Sequence, residues 1–287
     1  MSQPTETVRD LIRDQFASLT QTERKFASAL LEDYPNAGLA SITTVAATAG
    51  VSTPTVARMV QKLGFKGYPQ FHKALLQELQ AKVSGPTQRR AVWATEAPET
   101  HLLNRFSKAV TTNLAQTFAH IDSRQFDASV DMLAQTDGRL YVVGGRITHA
   151  LADYAFTHFQ AIRPRVTHMT SSAATWPHYV LDMEAGDTIL LFDIRRYEAN
   201  LLRLSEMAKE RGVRIVLITD QWGSPVAQVA DHAFTCWVEI PSGWDSNIAT
   251  MMLLEAMISA VQETRWPETR RRYEQLDKIF DQTRLFR

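Results

Sequence analysis

The chain has 287 residues, 45% of them hydrophobic and 22% charged, with 31 basic side chains against 31 acidic ones. That composition excludes an intrinsically disordered chain and describes a globular protein with room for two domains. A formal net charge of zero excludes a global field that would draw in nucleic acid or a membrane, so local charge must carry any such contact.

The N-terminal stretch "MSQPTETVRDLIRDQ" lacks the basic-then-apolar order of a secretory signal. No apolar run approaches the roughly 20 residues that span a bilayer. The chain is therefore expected in the cytoplasm, with no membrane partner. Residues 1–82 read as helices. "VRDLIRDQFASL" sets Val8, Leu11, Ile12 and Phe16 at helical spacing, and Thr20 with Glu23 forms a capping-box pattern ahead of "KFASALLEDY". Pro35 and the following "NAG" end that helix.

The most informative stretch is "ITTVAATAGVSTPTVARMVQKLGF", residues 42–65. Ala46 is small enough for two helices to cross closely, and Gly50 suits a turn that needs positive φ. Val45, Val51, Val56 and Met59 supply a small core between the helices. Ser52 is placed to cap the second helix, and Pro54 is tolerated in its first turn. Small residue, glycine and aliphatic at these offsets describe a helix-turn-helix. The expected outward face of its second helix carries Ser52, Thr53, Thr55, Arg58, Gln61 and Lys62. Such a helix can enter a major groove, with Thr53, Thr55, Arg58 and Gln61 toward base edges and Lys62, Lys66 and Lys73 toward phosphates. Residues 50–82 hold five Lys or Arg against one acid, Glu78, so the basic charge is local. The expected partner is a partly palindromic double-stranded operator bound by a homodimer or a dimer of dimers.

"VAATAGVSTPTVARMVQKLGFKGYPQFHKALLQEL" resembles the N-terminal domain of the RpiR-type bacterial transcription regulators, through its "KLGFKGYxxF" continuation. That resemblance implies a C-terminal sugar-isomerase-like (SIS) domain. The expected fold is an all-α helix-turn-helix domain (1–82), a linker (83–99) containing Trp93, an α/β domain (100–265) and a final amphipathic helix (266–287). Trp93 is expected to dock on the protein rather than stay solvated.

The second half fits an αβα sandwich with a mainly parallel sheet. Two helical stretches precede the strand "RLYVVGG"; "PRVTHM", "DTILLFDI", "VRIVLITD" and "HAFTCWVEI" follow, separated by helical segments. Strands that read as continuous apolar runs are covered on both faces. The lone Cys236 lies in such a run and reads as a core residue, and a single thiol forms neither an internal disulfide nor a zinc site. Met251, Met252, Leu253, Leu254, Met257 and Ile258 make an apolar helix for a core or a dimer interface.

In the SIS resemblance, a GxGxS turn and a later SxSGxT turn surround a phosphorylated sugar. Here the first becomes Gly144, Gly145, Arg146, Ile147 and Thr148, with Arg146 in place of a glycine and Thr148 in place of the serine. The second places Asp193, Arg195, Arg196 and Glu198 where Ser, Ser, Gly and Thr are expected. Ser246 in "WDSNIA" matches a third hydroxyl position. Two readings stay open. In one, Arg146, Arg195 and Arg196 recognise a small anionic metabolite bidentately, Asp193 and Glu198 orient those arginines or meet a cationic part of the ligand, and Gly144, Gly145, Thr148 and Ser246 lie around it. In the other the pocket is filled, with Arg146 paired to Asp193 or Glu198, and the domain only dimerises. Among other functions, a sugar-phosphate isomerase would need a base such as Glu198 or His149, and a third reading is a DNA-binding dimer without a ligand. His149, His158, His168 and His178 lack metal-site spacing, so no metal, cofactor or catalytic residue is expected.

Overall fold

Thr7 and Thr20 start the first two helices in the same way. Each hydroxyl accepts the N–H of the third residue on, and the acid there, Asp10 or Glu23, accepts the threonine's own N–H. The expected capping box at Thr20 is thus present, with a second at Thr7. The structure is a computed structural model that describes residues 7–88 and 101–284, so Trp93 and most of the expected linker lie outside the described residues. The chain divides into two units, Met1–Pro98 and Glu99–Arg287.

In the first unit α1 (Val8–Gln15), α2 (Gln21–Glu32), α3 (Ile42–Thr48), α4 (Thr53–Lys62) and α5 (Tyr68–Val83) surround one core. Phe26, Leu30, Val45, Val56, Met59 and Phe71 are buried there. The "KLGFKGYPQFH" stretch is largely packing chemistry. Phe65 meets Phe71 edge-on at 5.5 Å, and the Tyr68 hydroxyl lies 2.9 Å from the Gly38 carbonyl and 2.8 Å from that of Ala40. At the far end of α5, Glu78 accepts the Val8 N–H at 2.7 Å and the Tyr34 hydroxyl, clasping α1 and the end of α2.

The second unit opens with α6 (Leu102–Ala119) and α7 (Ser123–Ala134). Five parallel strands follow: β1 (Leu140–Gly144), β2 (Val166–His168), β3 (Thr188–Asp193), β4 (Arg214–Asp220) and β5 (His232–Cys236), in spatial order β2-β1-β3-β4-β5. Between and after them lie α8 (His149–Ile162), α9 (Trp176–Leu181), α10 (Ala199–Glu210), α11 (Ile248–Thr264) and α12 (Trp266–Thr283). Every residue of β1 and β3 is buried, as their continuous apolar runs predict. The last expected strand, "HAFTCWVEI", is regular only to Cys236, which is buried.

Helix α11 buries Leu253, Leu254, Met257 and Ile258 but leaves Ile248 43% and Met252 47% exposed, so it is apolar on more of its surface than this chain covers. Arg272 of α12 donates to the Gln160 and Ala161 carbonyls, at the C-terminal end of α8 where a cation is favoured.

The chain runs from β1 outward to β2, then returns to the other side of β1 as β3. The sheet order therefore reverses between β1 and β3, and in open parallel sheets the crevice at such a point takes ligands. Gly144 ends β1 in register with Phe192 of β3. Both divergent turns leave the sheet at this place.

Candidate functional site

In the first unit Val51 N–H donates 2.9 Å to the Ala46 carbonyl, and Gly50 adopts φ +61° between α3 and α4. Lys25 from α2 donates to the Gly50 carbonyl at 3.1 Å, and a Cβ on Gly50 would lie 2.7 Å from that ammonium. Val45, Ala46, Val56 and Met59 are buried as expected, and Val51 is partly buried. Ser52 is the N-cap residue of α4 but makes no capping bond; its hydroxyl lies 2.9 Å from that of Thr55.

Thr55 needs a correction. Expected on the outward face, it is 6% exposed, because it shares the inner face with Val56, Met59 and Val60. Arg58, Gln61, Lys62, Lys66 and Lys73 are exposed, and Thr53 is partly so. Lys62 does not stand alone: it bonds Glu23 of α2 at 2.7 Å, and that carboxylate also holds the Thr20 N–H. Lys62 thus fixes α4 against the start of α2.

At the sheet crevice the first turn has closed on itself. The Thr148 hydroxyl donates to the Phe192 carbonyl and accepts the Gly145 N–H, both at 2.8 Å, so it has no proton left for a ligand. A Cβ on Gly144 would lie 2.5 Å from the Thr148 backbone, so the turn admits glycine alone. The Arg146 N–H donates to Glu198 Oε1 at 2.6 Å. A Cβ on Gly145 would stand 2.9 Å from the same oxygen. The Arg146 guanidinium instead lies 5.9 Å from the ring centre of Trp244, which is 51% exposed. The expected side-chain pairing of Arg146 with Asp193 or Glu198 is therefore replaced by a backbone contact to Glu198.

The second turn is a buried network of acids. Asp193 accepts the Ser224 hydroxyl and, weakly, the Glu198 N–H at 3.4 Å. Burial, only partly offset by those bonds and aided by Asp220 and Glu198, pushes its carboxyl up to about 7. Asp220 accepts the Arg195 N–H at 2.7 Å, the Tyr197 hydroxyl at 2.5 Å and the Trp222 N–H at 3.0 Å. Burial raises its carboxyl as well.

Arg195 was expected to offer its fork to a ligand. The fork is occupied: Nε donates to Asp245 at 3.0 Å and Nη2 at 2.7 Å, with Glu239 at 3.4 Å and the Trp222 ring centre 3.7 Å away. Burial works against its charge, but Asp245, Glu239 and Asp220 outweigh it and hold the pKa above the ordinary value. Arg196 is exposed. The Ser246 hydroxyl, nearly buried, accepts the Ile248 N–H at 3.3 Å and so serves the start of α11.

Beside the first turn, His149 and His168 stack with ring centres 4.6 Å apart, a pairing that their sequence separation does not announce. Burial, then His149, lowers the His168 pKa. Among the described residues no cluster of three or more His, Cys, Asp or Glu is arranged to hold a metal.

Family models for the rpiR-family helix-turn-helix domain and the SIS domain match residues 7–82 and 132–260. The chain belongs to the RpiR-type transcription regulators. It is accordingly a DNA-binding regulator, with its helix-turn-helix formed by α3 and α4. It is 28% identical over 241 residues to the HTH-type transcriptional regulator HexR of Pseudomonas aeruginosa, covering 83% of this chain and 80% of that one. To HexR of Escherichia coli it is 24% identical over 280 residues, covering 96% and 94%. The sugar isomerase domain of an RpiR transcription factor from Sphaerobacter thermophilus superposes with TM-score 0.57 at 20% identity, covering 61% of this chain and 97% of that one. Vibrio vulnificus NanR, solved in complex with ManNAc-6P, gives TM-score 0.56 at 16% identity over 96% and 98%. These two likenesses establish the fold of this RpiR-type chain.

Tyr197, Asp220, Ser224, Glu239 and Asp245 were not singled out from the sequence. Asp245 adjoins Ser246 in "WDSNIA", but nothing in the spacing couples it to Arg195, fifty residues earlier.

Proposed function

We propose that this RpiR-type regulator reads a partly palindromic operator with α4 and senses a small anionic metabolite in the crevice between β1 and β3. Thr53, Arg58 and Gln61 face base edges, and Lys66 and Lys73 face phosphates. Lys62 contributes mainly by holding α4 in place through Glu23. The second unit pairs two copies, its exposed Ile248 and Met252 suiting a partner surface. The protein works in the cytoplasm, where the operator and metabolite meet.

One observation carries this reading: a single chain joins a helix with an exposed arginine, glutamine and lysine to a parallel sheet whose turns after β1 and β3 carry the exposed Arg146 and Arg196. An isomerase is disfavoured. The sugar-phosphate turn it would need is not open: the Thr148 hydroxyl is bonded to the Phe192 carbonyl and the Gly145 N–H, and Asp193 puts a buried carboxyl where a hydroxyl donor is needed.

Selection from random duplexes tests the first half and should return a two-fold site whose affinity falls on Arg58→Ala. A thermal-shift screen against sugar phosphates and mono- and dicarboxylates tests the second. A ligand of the native state at a hundred times its dissociation constant adds about 2.7 kcal/mol, which is readily seen. Turnover of a ketose or aldose phosphate would overturn the reading.

A further inference from the structure

Glu198 sits where an anionic ligand of the first turn would sit. Its Oε1 takes the Arg146 N–H at 2.6 Å, and the absence of a side chain on Gly145 leaves the space that its carboxylate fills. The Gly145 N–H is given to the Thr148 hydroxyl, so the turn offers the main-chain N–H of Arg146, a donor that suits an anion of any origin. Here the anion is supplied from the chain itself, 52 residues downstream. Glu198 is also the N-cap residue of α10, yet it makes no side-chain cap there. Its carboxylate is spent on the neighbouring turn instead of on its own helix.

We propose that Glu198 is a built-in occupant of the anion seat at Gly145 and Arg146, and that an anionic effector binds by displacing it. The inference rests on the crevice being the effector site. A tethered carboxylate competes at an effective concentration on the order of millimolar, so a weakly held phosphate is excluded. An effector succeeds when further contacts outweigh that competition. Its arrival releases Glu198 at the first turn of α10, which gives the bound and unbound states different structures to select between. Glu198 thus sets both the threshold for binding and the start of the response.

The test is calorimetric titration of the full chain with inorganic phosphate at fixed ionic strength. Wild type is compared with Glu198→Ala and with the isosteric Glu198→Gln, whose neutral amide keeps the packing. Glu198→Ala should bind phosphate at least tenfold more tightly than wild type, and Glu198→Gln, whose amide oxygen can still take the Arg146 N–H but carries no charge, should fall between the two. Adding Gly145→Ala to Glu198→Ala should abolish that gain, because the new methyl group enters the seat. Equal affinity in wild type and variants overturns the proposal, and so does silence in all of them. The outcome is separable from that of the sensor reading. A metabolite that binds wild type and Glu198→Ala equally well sinks the displacement and leaves the sensor standing. Phosphate binding gained by the variants while wild type answers no metabolite supports the occupant and sinks the sensor.

Discussion

Arg195 and Asp245 form a two-pronged ion pair at the edge of the crevice, with the guanidinium side chain 2% exposed and the carboxylate 10%. The pair ties the turn after β3 to the loop ahead of α11. A buried pair of this kind adds little net stability, but losing one partner strands the other charge. Asp245→Ala should therefore destabilise the second unit by about 3 kcal/mol, with Glu239 compensating only in part. Urea unfolding followed by tryptophan fluorescence measures this. A change under about 0.5 kcal/mol, the scale of ordinary surface substitutions, would show that the pair is not sustained in solution.

Arg58 and Lys66 should separate specificity from charge. If Arg58 grips a guanine, Arg58→Ala costs roughly 1–3 kcal/mol and relaxes the preference at one base pair. Lys66→Ala should weaken all sequences alike and reduce the slope of log affinity against log salt by about 0.9. Thr55→Val should lower stability by about 1 kcal/mol and leave base preference unchanged, because its hydroxyl bonds inside the motif. Anisotropy titrations at several salt concentrations, on matched and single-substituted duplexes, distinguish the three. A Thr55→Val shift in base preference would return that residue to the interface.

Much of this was legible because it is local. The capping box at Thr20 and Glu23 spans four residues, and the crossing of α3 and α4 follows from Ala46, Gly50 and Val56 within eleven positions. The strands announce themselves by composition. What escaped was the choice among equivalent charges. Arg146, Arg195 and Arg196 look alike on paper, but one lies near Trp244, one is gripped by Asp245 and one is exposed. Composition says that acids and arginines meet in the crevice; only the course of the loops decides which. Thr55 was misplaced for a smaller reason. A hydroxyl on the boundary of a helical face can turn inward when a neighbouring hydroxyl shares a hydrogen bond with it, as that of Ser52 does.

Gly144 should resist replacement even by alanine. Its missing side chain faces the backbone of Thr148 and His149 at 2.5 and 2.8 Å, and neither can yield without unseating the start of α8. Gly144→Ala should cost about 1–3 kcal/mol, as overpacking does, and lower the melting temperature of the second unit. Gly145→Ala meets only the movable end of Glu198 at that distance and should be milder. If the two variants melt alike, the tight approach at Gly144 is absent.

The clasp at Glu78 should make the first unit respond to pH in an unusual direction. Burial is the main cause that lifts this carboxyl from an ordinary value of 4.5 to about 7; the Tyr34 hydroxyl and Val8 N–H pull it back only in part. The folded chain therefore holds a proton that the unfolded chain has released between those values. Stability linked to that proton is fully present below about pH 4.5 and is lost as pH rises through about 7. Between those limits the first unit should weaken with rising pH, opposite to the behaviour of a salt-bridged carboxylate. Hydrogen exchange of peptides from residues 7–83, corrected for intrinsic rates and compared at pH 6 and pH 8, isolates this unit from Asp193 in the other. Protection around Val8 and Tyr34 should be greater at the lower pH in wild type and nearly level in Glu78→Gln, which keeps the bond from Val8 and cannot ionise. A pH dependence that survives the substitution unchanged would place its origin elsewhere.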